Sequence, residues 1–231
     1  MFSMSSSEAL VEHKVPFANP FQIEDLQVFD DDTLRTMLAS GSFGLTIEQL
    51  AHSMRGASNS LVKRIRHNLS PQQRADFMRE FRRSILKCEV DRARRTVLDT
   101  LFWELTYWKT PELYEELTQG EYLHPGIFEH LEADIRGKLV LDVGAGSGRA
   151  SFECKRYGAR KIYAVEPSPG LLRILEHKLA TRDRDNRIVT YAGRFEDIPL
   201  PDNSVDCALS CSAFTSSPGQ GESQAWLNCG A

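Results

Sequence analysis

The chain has 231 residues, a formal net charge of −4 and 41% hydrophobic residues, so it is long enough for one or two hydrophobic cores and is not a disordered polyelectrolyte. No run approaches the roughly 20 apolar residues that a membrane helix needs, and residues 1–14 lack the basic start and apolar stretch of a signal peptide. The five cysteines show no metal-like pairing. We therefore expect a cytoplasmic protein without membrane insertion.

Helical signals dominate the first 118 residues. Two capping boxes are predicted, Thr46 with Gln49 and Ser70 with Gln73, the second with proline at the first helical position. Apolar residues at helical spacing predict one helix with a stripe from Ala75 to Leu86, another from Val90 to Leu105, and a third starting at Thr110-Pro111. The pattern indicates a flexible N-terminus over 1–18, followed by a compact all-α module over 19–118.

Short motifs in this module resemble the C-terminal region of the flagellar rotor protein FliG. The segments concerned are Phe21–Leu26, Asp31-Asp32, Gln49–Ala57, Asn68–Ser70 and Val90-Asp91. They are similar to that family's F-E-D-L start, D-D pair, A-L-K-G-A turn and N-M-S helix start, and the resemblance covers roughly residues 19–108. It implies a helical fold that binds a protein partner.

The charges on which that family depends are only partly present. Arg55 and Glu80 match charged positions of the family, whereas Gln72, Arg79 and Cys88 depart from its pattern. Electrostatic torque generation is therefore not expected, although the fold can persist without it. Between positions 55 and 95 the chain has 12 Lys or Arg against four Asp or Glu, which is compatible with solvated helix faces or with an acidic protein partner. Few aromatic residues interleave with these cations, so nucleic acid is the less expected partner.

The second half of the chain contains four segments that predict strands of a parallel sheet. They are Leu139–Asp142, Lys161–Glu166, Arg187–Ala192 and Val205–Ser210. The first strand turns into a helix through glycines at positions 144, 146 and 148, which let the backbone adopt positive φ and approach a ligand closely. A dinucleotide-binding loop would be G-x-G-x-x-G, whose last position is Arg149 in this chain, so a nicotinamide-dependent enzyme is disfavoured.

The pattern D-x-G-x-G-x-G, with Glu166 at the tip of the second strand, resembles the class I S-adenosylmethionine-dependent methyltransferases of the small-molecule and quinone type. The resemblance implies an α/β fold: a partial Rossmann-like sheet over 119–215, preceded by the all-α module. It also implies S-adenosyl-L-methionine as cofactor. The cofactor-binding residues implied are Asp142, Gly144, Gly146 and Gly148 for the methionine portion, Glu166 for the ribose, and Phe195 and Glu196 beside the adenine. Arg194 stands where the family commonly has an acidic residue, so the chain departs from the family pattern beside the adenine.

The methyl acceptor and any catalytic residue are not specified by these motifs. The fourth strand is followed by Ser210–Phe214, which is not the N-P-P-Y type of motif that positions base or amide nitrogens. A small-molecule acceptor is the expectation that remains. We assign no general base, because a reactive acceptor does not need one, and in-line methyl transfer requires no metal.

The sheet of this family has seven strands, whereas the sequence stops soon after the fourth. We therefore expect a truncated core and an irregular tail over 216–231. One permitted codon choice for 224–231, read one base earlier, encodes Pro-Gly-Leu-Ala-Glu-Leu-Arg-Arg, which suggests that the tail is a frameshifted translation. Two functions remain open: a methyltransferase with a recruiting helical module, and a non-catalytic rotor-like interaction protein that carries a methyltransferase remnant.

Overall fold

The computed structural model describes residues 18–39, 43–120 and 123–211. Within them lie a 3₁₀ helix at Ile23–Val28 and the helices α1 Asp31–Leu38, α2 Ile47–Ser53, α3 Asn59–His67, α4 Pro71–Arg82, α5 Lys87–Thr100, α6 Phe102–Lys109, α7 Pro111–Thr118, α8 Pro125–His130, α9 Glu132–Ile135, α10 Arg149–Arg156 and α11 Pro169–Arg182. The strands are β1 Leu139–Val143, β2 Lys161–Glu166, β3 Ile188–Ala192 and β4 Cys207–Leu209. The expectations for residues 1–17 and for the tail over 216–231 lie outside the described residues.

Both predicted capping boxes are confirmed. The Gln49 backbone N–H donates to the Thr46 hydroxyl at 3.1 Å, and the Thr46 N–H donates to the Gln49 side chain at 2.9 Å. Ser70 and Gln73 exchange the same pair of hydrogen bonds at 3.3 and 3.1 Å. These local devices satisfy N–H groups that the first helical turn leaves without partners, which is why they mark helix starts reliably.

Three predicted boundaries were wrong. Helix α4 ends at Arg82, so the end of the predicted stripe lies outside it, and the Leu86 side chain is 68% exposed at the start of α5. The predicted helix over 90–105 bends at Leu101, between α5 and α6. The Leu101 N–H still bonds to the Val97 carbonyl at 3.0 Å, so the apolar spacing continues across the bend and hides it. Strand β4 is shorter than the predicted 205–210.

The four strands form one parallel sheet in the order β3-β2-β1-β4. From β1 the chain steps to β2 and β3 on one side and returns to β4 on the other, so the strand order reverses at β1. Ligands of open α/β sheets bind outside the carboxyl ends of the strands at such a reversal. The predicted parallel sheet is confirmed, and its topology places the candidate site at the ends of β1 and β2.

Side chains alternate between the two faces of this sheet. Val140 and Ile162 pack into one cluster with helices on that side, while Leu141, Val143 and Val165 pack into another on the opposite face. The helical half has a separate apolar cluster that extends from Phe21 to Leu105. No helix among the described residues is long and apolar enough to cross a bilayer.

The helical half packs directly against the sheet half through α6 and α7. A Cβ at Gly170, in the first turn of α11, would lie 2.4 Å from Pro111 Cγ, so the two helices approach too closely there for any side chain. Lys178 of α11 also donates to Glu115 of α7 at 2.5 Å. These contacts hold α7, which directly follows α6, against α11.

Candidate functional site

The candidate site centres on Glu166, the last residue of β2, which is 1% exposed. Its carboxylate accepts hydrogen bonds from the backbone N–H groups of Gly146 at 2.8 Å and Ser168 at 2.7 Å. It also accepts one from the Tyr107 hydroxyl. Burial raises the pKa of Glu166, and the three donors act against this by stabilising the carboxylate. The structure thus brings Glu166, the residue predicted to bind the ribose, into contact with the predicted glycine loop.

Asp142 lies in β1 and is 1% exposed. Its Oδ2 accepts a hydrogen bond from the Ser151 hydroxyl at 2.6 Å, whereas its buried Oδ1 has no hydrogen-bond partner among the described residues. Burial raises the pKa of this carboxyl to about 6, although the bond from Ser151 opposes the shift. A buried carboxylate oxygen without a partner is costly, and it indicates a site for a donor that the chain itself does not supply.

We expect the raised pKa of Asp142 to make folding less favourable as the pH rises. From pH 3.8 to pH 6 the folded state holds the proton that the unfolded state has lost, so the free energy of unfolding falls over this window. The cost is about 3 kcal/mol at pH 7 and about half of that at pH 5. Urea unfolding of the wild type and Asp142→Asn at both pH values measures it. We expect the free energy of unfolding of Asp142→Asn, relative to that of the wild type, to be higher at pH 7 than at pH 5. An equal difference at both pH values would contradict the assignment.

The glycine loop between β1 and α10 takes left-handed backbone conformations, with φ of +71° at Gly144, +56° at Gly146 and +92° at Gly148. The Gly144 N–H donates to the Val165 carbonyl at 2.9 Å, which ties the loop to β2. A Cβ at Gly146 would meet nothing within 4 Å, so this position faces open space. A Cβ at Gly148 would lie 2.4 Å from Leu175 Cδ1, so glycine at that position serves packing of the loop against α11.

The residues predicted to lie beside the adenine follow β3, the strand that pairs with β2 on the side away from β1. Phe195 packs against the cluster that contains Val143 and Val165, and Glu196 is exposed. Arg194, which departs from the family pattern, donates to Asp30 at 2.6 Å. It also donates to Thr33 at 2.9 Å, and its guanidinium lies 5.7 Å from the centroid of the Trp108 ring. The segment therefore binds the helical half directly.

Sequence reasoning missed Tyr107. This residue lies in α6, and its hydroxyl donates to Glu166 while its carbonyl accepts from the Ser168 hydroxyl at 3.3 Å. Burial, followed by the charge of Glu166, raises the pKa of Tyr107 well above the usual value. Nothing in the local sequence marks the role, since an aromatic residue in an apolar helix is ordinarily a core residue.

These features fit S-adenosylmethionine. A buried carboxylate at the tip of β2 suits the two ribose hydroxyls, the open space beside Gly146 admits a ligand against the loop, and the orphaned Asp142 Oδ1 offers an acceptor for an amine.

Comparison with known proteins agrees with this geometry. Residues 141–225 match the family model described as a methyltransferase domain. The matched region contains most of β1, the glycine loop and Glu166, so the part of the chain that holds the candidate site is similar to a methyltransferase domain.

Individual relatives are similar over part of the chain. "Histone-arginine methyltransferase CARMER" of Anopheles gambiae is 42% identical over 77 residues, which are 33% of this chain and 12% of that protein. "Probable protein arginine N-methyltransferase 6" of Arabidopsis thaliana is 34% identical over 99 residues, 43% of this chain and 22% of that protein. A solved PRMT1 enzyme-prozyme complex of Trypanosoma brucei with AdoHcy is 29% identical, with a TM-score of 0.31 over 34% of this chain and 24% of that chain. The chain thus spans about an eighth of the length of the Anopheles relative.

Proposed function

We propose that the protein is an S-adenosylmethionine-dependent methyltransferase that acts on a small-molecule acceptor. The observation that carries the proposal is the Glu166 carboxylate, buried at the end of β2 and in contact with the glycine loop through Gly146. A carboxylate in this position accepts two hydrogen bonds from adjacent ribose hydroxyls. The cofactor, when bound, supplies an electrophilic methyl group.

We assign the following roles to the site residues. Glu166 orients the ribose, and Asp142 accepts from the methionine amine through its orphaned Oδ1. Gly146 leaves room for the methionine portion. Phe195 and Glu196 flank the adenine. These residues hold the donor in line with the acceptor, and orientation alone can supply much of the rate acceleration.

The acceptor assignment rests on the charge of the segment after β4. A cationic guanidinium acceptor is bound and oriented best by carboxylates, yet positions 210–215, which follow β4 and precede the expected out-of-frame tail, contain no Asp or Glu. This composition favours an uncharged small molecule. Methylation of protein arginine is the second candidate, and it is favoured by the names of the Anopheles and Arabidopsis relatives.

Methyl-labelled S-adenosylmethionine separates these candidates. The purified chain is incubated with the low-molecular-weight fraction of a cell extract and, separately, with an arginine-rich peptide. We expect label in the small-molecule fraction, and none with the Glu166→Gln variant. Label on the peptide would select the arginine alternative, while failure of the folded chain to bind the cofactor would overturn both.

The helical half is proposed as a recruiting module for an acidic protein partner, with the FliG-like fold as its scaffold. A cavity of about 590 Å³ on α3 and α4 is lined by Ser60, Lys63, Arg64, Arg66, His67 and Arg74. The lining is strongly cationic, and such a surface attracts acidic groups.

We expect Tyr107→Phe to bind S-adenosylmethionine more tightly than the wild type, by about 5-fold to 30-fold. The Glu166 carboxylate offers about four acceptor positions, and three are used in the structure. Two ribose hydroxyls need two acceptor positions on Glu166, so one of the three present hydrogen bonds must break. We expect the bond from Tyr107 to break, because Tyr107 donates from a side chain whereas Gly146 and Ser168 donate from the backbone. Calorimetric titration measures the change. Weaker binding by the variant would show that Tyr107 supports the cofactor instead of competing with it.

A further inference from the structure

Three side chains with metal-binding donors meet in the helical half, far along the chain from the glycine loop. Glu48 and His52 lie one turn apart on α2, on the same face of that helix, and Glu80 lies on α4. One donor atom from each of these residues lies within 4.8 Å of the other two. Sequence reasoning missed this cluster, although the i, i+4 spacing of Glu48 and His52 is visible in the sequence.

His52 is the unusual member. The residue is 8% exposed, and its Nε2 is buried without a hydrogen-bond partner among the described residues. The nearest carboxylate oxygen recorded, on Glu80, is 3.9 Å from Nε2, which is too long for a hydrogen bond. A buried imidazole nitrogen in this state has lost its hydrogen bonds to water and gained none in the folded protein, which is unfavourable. A ligand that bonds to Nε2 removes this cost.

We propose that Glu48, His52 and Glu80 form a zinc site, with a water molecule as fourth ligand. One imidazole nitrogen and two carboxylates are a donor set that suits Zn²⁺. Tetrahedral ligands at about 2.1 Å from the metal are roughly 3.4 Å apart, so donor atoms that now lie within 4.8 Å of one another approach by at most about 1.4 Å on binding. Glu48 can make this adjustment, because its side chain is 59% exposed.

Arg83 is the competitor for this site. Its guanidinium lies 3.2 Å from Glu80 and 3.9 Å from Glu48, so the two carboxylates already hold one positive charge between them. The Arg83 side chain is 63% exposed and can turn into solvent. Glu80 also bonds to Arg79 at 3.1 Å. Zinc therefore replaces Arg83 as the counter-ion of the pair, and removal of Arg83 favours the metal.

The test is a titration of the full metal-free chain with Zn²⁺ in competition with a chromophoric chelator. We expect one equivalent per chain, and affinity at least about tenfold lower in both Glu48→Gln and His52→Gln. Arg83→Gln should bind zinc more tightly than the wild type. His177→Gln, a change to an exposed histidine on α11, should bind zinc as the wild type does. Co²⁺ in place of zinc should give ligand-field absorption without a thiolate charge-transfer band.

Three results would overturn the proposal: no stoichiometric binding by the folded wild type, wild-type affinity in Glu48→Gln, or a thiolate band that assigns the metal to a cysteine. Glu48 is exposed, so its variant keeps the test decisive even if His52→Gln is unstable. The readout does not involve methyl transfer, and the two proposals therefore stand or fall separately.

Discussion

The Glu166→Gln variant should bind S-adenosylmethionine roughly 100-fold more weakly than the wild type, because it loses charge-assisted hydrogen bonds to the ribose hydroxyls. The substitution preserves the side-chain volume but places an amide NH₂ among donors. Gly146 and Ser168 both donate backbone N–H groups to this side chain, and Tyr107 donates its hydroxyl. One oxygen of the glutamine cannot accept from all of them.

Calorimetric titration of the cofactor measures this loss. Glu129→Gln is the matched control, since Glu129 is exposed on α8 in the same half of the chain. It should bind as the wild type does. Circular dichroism of both variants establishes that they are folded to the same extent. An affinity of Glu166→Gln equal to that of the control would refute the assignment of the ribose site.

The second large effect is on stability. We expect Gly148→Ala to lower the free energy of unfolding by about 3 kcal/mol, of which about 1–2 kcal/mol comes from left-handed backbone and the rest from overpacking. The φ of Gly148 is +92°, and a Cβ there would lie 2.4 Å from Leu175 Cδ1. Leu175 is completely buried, so its methyl group has little freedom to move aside.

Gly137→Ala separates the two contributions. Gly137 has a φ of +73° in the same half of the chain, and a Cβ there would meet nothing within 4 Å. We expect this variant to lose about 1–2 kcal/mol from the backbone alone. Urea unfolding followed by circular dichroism compares both variants with the wild type. Equal losses in the two variants would show that packing against Leu175 contributes nothing.

The parts of the site that sequence reasoning located are those that local chemistry determines. Glycines that permit positive φ mark the turn after an apolar strand, and the resemblance of the D-x-G-x-G-x-G pattern to class I methyltransferases implied the roles of Asp142, Gly146 and Glu166 before the structure was known. Their proximity follows from the parallel pairing of β1 and β2, which sets Val143 beside Val165.

The parts that sequence reasoning missed depend on contacts between distant segments. Tyr107 is 59 positions from Glu166, and its role arises from the close approach of the two halves. The interruption at Leu101 between α5 and α6 keeps the helical spacing of apolar residues and leaves no mark in the pattern. The orphaned state of His52 likewise depends on how α2 packs against α4.

The hydrogen bonds from Arg194 to Asp30 and Thr33 join the exit of β3 to the N-terminus of α1. With the adenine beside Phe195 as proposed, cofactor binding and the position of the helical half would be linked equilibria. A partner that draws α1 away from Arg194 changes the dissociation constant of the cofactor by some factor, and the cofactor changes the dissociation constant of that partner by the same factor. A measurement of either change therefore gives the other. Binding of a partner to the helical half would change the affinity of the chain for its cofactor.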